Sequence, residues 1–143
     1  MCDSYLTITR EARVETKVKG SRFIGETFPA DNTDDALSSL EAVRRREYSA
    51  THHCYAYIVG RGPDRAFKYS DDGEPSGTAG KPIYDILEGA AITNVLCVVT
   101  RYFGGTKLGT GGLARAYSDA ASQALDRSRV EKKYLRTAFK VEL

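Results

Sequence analysis

VLCVVTRYFGGTKLGTGGLAR, residues 95–115, passes from an uncharged, β-branched block into five glycines and three basic side chains, with no acidic residue anywhere. Val95–Thr100 has the composition of a buried strand. Beyond the glycines, Leu113, Ala116, Tyr117, Ala120, Ala121, Ala124 and Leu125 recur at i, i+3, i+4 and i+7, the stripe of an amphipathic helix. The glycine run is therefore the turn from a buried strand into the amino end of a long helix. Two demands explain so many glycines. The turn needs backbone with φ > 0, or an anion must approach the main chain closely. Gly111 and Gly112 fall in the first helical turn, where amide hydrogens lack intrahelical partners. Arg101, Lys107 and Arg115 then supply positive charge for charge-assisted bonds to such an anion. The spacing matches neither the P-loop nor the dinucleotide-binding fingerprint, so both explanations stay open.

Working outward, 12–19 alternates apolar and charged residues, as a half-buried strand does, and 22–28 is a second strand after the Gly20-Ser21 turn. Asn32 suits the cap of a helix with Asp34 and Asp35 in its first turn and Arg44, Arg45 and Arg46 in its last, complementing the helix dipole. Its expected buried stripe is Ala36, Leu37, Leu40 and Val43. CYAYIV at 54–59 is apolar throughout and suits a central strand buried on both faces, with a return strand at 66–69. A helix is expected over 81–88, with Pro82 in its first turn and Gly89 at its stop, and a closing strand over 133–141. This order predicts the α+β class: a two-layer sandwich with helices on one face of a mixed sheet.

A second unusual stretch, SDDGEPSGTAGKP at 70–82, holds Asp71, Asp72 and Glu74 within four residues. Such a cluster is reminiscent of a Mg²⁺ site, but carboxylates in turns commonly cap neighbouring amides, and the spacing is not that of an EF-hand. Asp71 and Asp72 are expected to bind backbone donors of the 73–80 turns, with no metal and no cofactor. Lys81, at the far end of this loop, is a candidate to face the same cleft as Arg101. His52 and Cys54 can share a strand face, yet Cys54 falls where the core should be, so no catalytic residue is assigned. Cys2, Cys54 and Cys97 have no metal or disulfide spacing and read as reduced thiols. With no apolar segment for secretion or membrane insertion, the expected location is cytoplasmic. A net charge of +2 is too small for a generally basic protein, so any nucleic-acid contact must rest on local clustering.

Taken together, SDDGEPSGTAGKPI and NVLCVVTRYFGGTKLGTGGLARAYSDAA closely resemble the IMPACT/YigZ family, and VKGSRFIG at 18–25 and HHCYAYIVG at 52–60 extend the likeness over nearly the whole chain. The family signature of an apolar strand, Arg, two aromatics, Gly-Gly, then an aliphatic residue and Gly falls on Val95–Val99, Arg101, Tyr102, Phe103, Gly104, Gly105, Leu108 and Gly109. The resemblance implies a fold like the second domain of small-subunit ribosomal protein five, with helices on one face of the sheet and a left-handed βαβ crossover. It implies an N-terminal family domain over residues 1–130, with 131–143 either a closing strand or the start of a ferredoxin-like second domain that bacterial members carry. It also implies a link to translational control, because mammalian members act through the ribosome-associated activator of a general-control kinase.

The expected function is accordingly that of a non-enzymatic binding module for RNA or ribosomal components, with a translation-control protein as a further partner and the oligomeric state left open. The phosphate-binding set is Arg101, Lys107, Lys81, Arg115, Gly104, Gly105, Gly111 and Gly112, with Tyr102 and Phe103 for base stacking. The alternatives are a metal-dependent phosphate-handling enzyme that uses the acidic loop, and a pure protein-interaction domain.

Overall fold

The structure, a computed structural model, describes residues 4–134. Its elements in chain order are β1 (Ser4–Ile8), β2 (Ala12–Val18), β3 (Ser21–Pro29), α1 (Thr33–Arg46), β4 (His52–Val59), β5 (Ala66–Ser70), α2 (Gly80–Gly89), β6 (Val95–Tyr102), α3 (Gly109–Arg127) and β7 (Val130–Tyr134). Five strands form one sheet in the order β2-β3-β6-β4-β5, and β1 pairs with β7 in a separate ribbon. The expected strand at 133–141 is represented by the end of β7; its remainder lies outside the described residues, as does Cys2. The β1 strand has no counterpart in the sequence-based expectation.

The α+β class holds, with β6 in the middle of the sheet and fully buried from Val95 to Thr100. Two details differ from expectation. Every pairing in the five-stranded sheet is antiparallel, so the sheet is not mixed. The helices also lie on both faces. Cys54, Ala56, Ile58, Cys97 and Val99 pack under α2 and α3, whereas Tyr55, Tyr57, Val59, Leu96 and Val98 pack under Ala36, Leu40 and Val43 of α1. The reason is visible in the strands: successive side chains of a strand point to opposite faces, and an unbroken apolar run leaves two faces to cover. Leu37 falls outside the α1 stripe and is 42% exposed.

This arrangement also determines crossover handedness. β3 and β4 are both antiparallel to β6, hence parallel to each other, and α1 joins them; β5 and β6 stand in the same relation across β4 and are joined by α2. The two crossovers travel in opposite directions along the sheet, start from oppositely directed strands and pass over opposite faces. Three reversals invert the hand, so one of the two is left-handed, against the usual right-handed rule.

The long helix lies very close to the sheet. Its buried stripe is dominated by Ala116, Ala120, Ala121 and Ala124, and Tyr117 meets Phe23 edge-on with ring centroids 5.2 Å apart. A Cβ on Gly25 would stand 2.4 Å from the Ala120 carbonyl oxygen, so β3 needs glycine there. Gly111, by contrast, has ordinary helical backbone, and a Cβ there would meet nothing within 4 Å. Gly25→Ala should therefore cost about 1–3 kcal/mol or more through overpacking, whereas Gly111→Ala should leave stability unchanged or raise it by up to ~1 kcal/mol through helix propensity. Urea denaturation midpoints of the two variants provide the comparison.

Candidate functional site

The acidic loop is organised by its first aspartate. Asp71 accepts hydrogen bonds from the amides of Gly77 (2.9 Å), Ala79 (3.0 Å) and Gly80 (2.8 Å), satisfying the turn and the amino end of α2 together. Asp72, held at φ 43°, accepts instead from the His53 amide at 2.7 Å, which ties the loop to the start of β4 rather than to its own turns. These two contacts turn Glu74 inward, where it is buried. No group of three or more metal-ligating side chains occurs among the described residues. The loop spends its carboxylates on protein donors.

Glu74 meets Arg101 there. The Arg101 Nη1 donates to both Glu74 oxygens at 2.8 and 3.1 Å, Arg101 is only 5% exposed, and the Tyr117 hydroxyl also donates to the carboxylate. Burial pushes the Tyr117 phenol well above its usual pKa, so it remains a neutral donor. The other edge of the guanidinium faces the Ser21 hydroxyl at 3.3–3.4 Å, and Ser21 Oγ accepts the Gly104 amide at 3.1 Å. Two rings lie on the guanidinium, Phe23 at 5.5 Å and Phe103 at 5.4 Å. Gly104 is required in this packing, because a Cβ would lie 2.1 Å from the Gly20 carbonyl carbon in the β2–β3 turn.

Above this ion pair opens a cleft of about 360 Å³, lined by His52, Glu74, Pro75, Arg101, Phe103, Lys107, Leu108, Gly109, Thr110 and Leu113. The His52 Nδ1 lies 2.8 Å from the Asp72 carbonyl, which can only accept, so Nδ1 carries a hydrogen and Nε2 faces Glu74 at 3.6 Å. Asn32 caps α1 and Asp71 satisfies α2, but no side chain caps the amino end of α3, whose first turn borders the cleft. Gly105 and Gly109 adopt φ of 90° and 79°, which gives the turn its glycines.

Of the expected binding residues, the cleft brings together Arg101 and Lys107 next to the glycine turn. Tyr102 lies on the opposite face of β6, where its hydroxyl meets Glu47 and its ring carries Arg22, because neighbours in a strand alternate. Lys81 pairs with Asp85 at 3.0 Å on the exposed side of α2, and Arg115 is exposed on α3; neither lines the cleft. Gly111 and Gly112 sit in the first turn of α3 as expected, and open space surrounds Gly111. His52 and the inward turn of Glu74 were not foreseen as parts of this site. Cys54 donates to the Asp71 carbonyl at 3.1 Å and is buried, and burial pushes both its thiol and that of Cys97 (to about 12) upward, so neither is a thiolate nucleophile at neutral pH.

The fold and the cleft together define a small α+β domain whose glycine-rich strand-to-helix turn is anchored by a buried arginine. Residues 19–125 match the Impact N-terminal domain, and the chain belongs to the IMPACT family. It is 39% identical over 137 residues to IMPACT family member YvyE of Bacillus subtilis, covering 95% of this chain and 63% of the relative. To IMPACT family member YigZ of Escherichia coli it is 38% identical over 141 residues, covering 98% and 69%. The chain thus spans about two thirds of the length of these relatives. A solved crystal structure of a hypothetical protein superposes with a TM-score of 0.88 at 38% identity, covering 94% of this chain and 66% of the other. The two-domain translational regulator Yih1 shares the fold at a TM-score of 0.50 and 21% identity, covering 86% of this chain and 46% of that one.

Because Arg101 and Glu74 are both buried, removing one partner strands the other. Arg101→Met should cost about 3–5 kcal/mol. Combining it with Glu74→Met should cost clearly less than the two single losses added together, a coupling that denaturant melts of the four proteins in the cycle would measure.

Proposed function

We propose that this chain is a binding module of translational control that holds RNA through the cleft at the amino end of α3 and performs no chemistry itself. The carrying observation is the division of charge around the cleft. Arg101 is neutralised by Glu74, while Lys107 at the rim is exposed and makes no ion pair among the described residues. Beside it lie the uncapped first turn of α3 and the half-exposed Phe103. A cation, free amides and an open ring are what an RNA backbone and an unpaired base require. The link to translation is supported by IMPACT family membership and by the shared fold with a protein described as a translational regulator. The metal-dependent enzyme reading has less to stand on, since Asp71, Asp72 and Glu74 each hold protein donors.

Fluorescence anisotropy with a short single-stranded RNA over a salt series tests this reading. Affinity should fall with salt, and Lys107→Ala should lower the log–log slope by about 0.7, the share of one phosphate contact to a single strand. Its melting temperature should stay at the wild-type value, since Lys107 is exposed. Absence of salt-sensitive RNA binding by the wild type would refute the proposal.

A further inference from the structure

We infer that the cleft is a pocket for a single nucleotide, in which one unpaired base stacks on the open face of Phe103 and its phosphate reaches Lys107. This inference rests on the RNA-binding reading and adds which part of the nucleic acid enters and which side chain receives it.

Phe103 is the unusual element. The residue is 49% exposed at the cleft, although one face of its ring already rests on the Arg101 guanidinium. That guanidinium cannot drift: Glu74 and Ser21 hold it in its plane and Phe23 lies behind it. The Phe103 amide is held as well, donating to Thr51 Oγ1 at 3.0 Å. The ring is therefore a preorganised platform with one face spent and one face free. Leu108 and Leu113 give the cleft its apolar wall, and Lys107 stands at the rim. An apolar slot with one aromatic plate and one peripheral cation complements a planar ring carrying a phosphate. A volume of about 360 Å³ lies near the small end of ligand pockets, suiting one nucleotide rather than a run of them. The Glu74–Arg101 pair and Leu113 line the same cleft, so the guanidinium beneath the ring is already charge-balanced and, among the described residues, the one unpaired cation left there for a phosphate is Lys107.

The test is an amide NMR titration of the full chain with adenosine 5′-monophosphate, with adenosine and inorganic phosphate as separate arms. Adenosine monophosphate should shift the amides of Phe103 and of residues 107–110, and bind more tightly than either fragment. Phe103→Leu keeps an apolar side chain but removes the ring, and should weaken the nucleotide at least about fivefold. Phe103→Tyr should restore it. Lys107→Ala should weaken the nucleotide while leaving adenosine unchanged. The amide spectrum of each free variant shows that it is folded. Wild-type affinity in Phe103→Leu, shifts confined to other surfaces, or no shifts with adenosine monophosphate would each overturn the pocket. The two readings fail separately. Salt-sensitive RNA binding indifferent to Phe103 removes the pocket and leaves the module; a Phe103-dependent nucleotide site in a chain that ignores RNA upholds the pocket and removes the module.

Discussion

A buried ion pair between Arg101 and Glu74 holds four parts of this protein in register. Arg101 lies near the end of the central strand, Glu74 comes from the acidic loop, Ser21 opens β3, and Tyr117 reaches up from α3. Taking two charges out of water is costly, and attraction offsets that cost only where the remaining donors and acceptors are satisfied. Here they are: the carboxylate takes the guanidinium and a phenol, and the guanidinium has a hydroxyl and two ring faces. The same pair lines the cleft. A residue that looks from its neighbours like an anion receptor is consumed by architecture, and the exposed charge passes to Lys107.

The other organising constraint is a sheet apolar on both faces. β4 and β6 bury every residue from Cys54 to Val59 and from Val95 to Thr100. Each face must be covered, so α1 goes to one side and α2 and α3 to the other. The opposite hands of the two crossovers follow from that placement. So does the fate of the motif's aromatic pair: strand alternation sends Tyr102 to the α1 side, towards Glu47, and leaves Phe103 to the cleft.

The glycines of 104–112 divide their labour. Gly104 is a packing residue against the backbone of Gly20, while Gly105 and Gly109 supply the φ > 0 of the turn. Gly111 meets neither need, so the fold alone gives no reason for its missing side chain. Close packing and positive φ thus account for different glycines within one run.

Local pattern was enough for much of the fold. The i, i+3, i+4 stripe of α3, the Asn32 cap of α1 and the apolar runs of β4 and β6 are short-range signals, and all of them reappear in the structure. The runs even implied cover on both faces, which contradicts the expectation of helices on one side. The ribbon of β1 with β7 escaped notice because each strand is short and stabilised by a partner more than a hundred residues away. The candidate site was half legible. Arg101, Lys107 and the glycines stand together in the chain, so proximity alone collects them. Glu74, His52 and Ser21 lie 27 to 80 residues from Arg101; pairing of β3 and β4 with β6 brings Ser21 and His52 to its side, and the folded acidic loop brings Glu74. Residue types and spacing determined the elements and the basic turn; tertiary structure decided which charges were neutralised and which stayed open, because burial and partner distance belong to the folded chain alone.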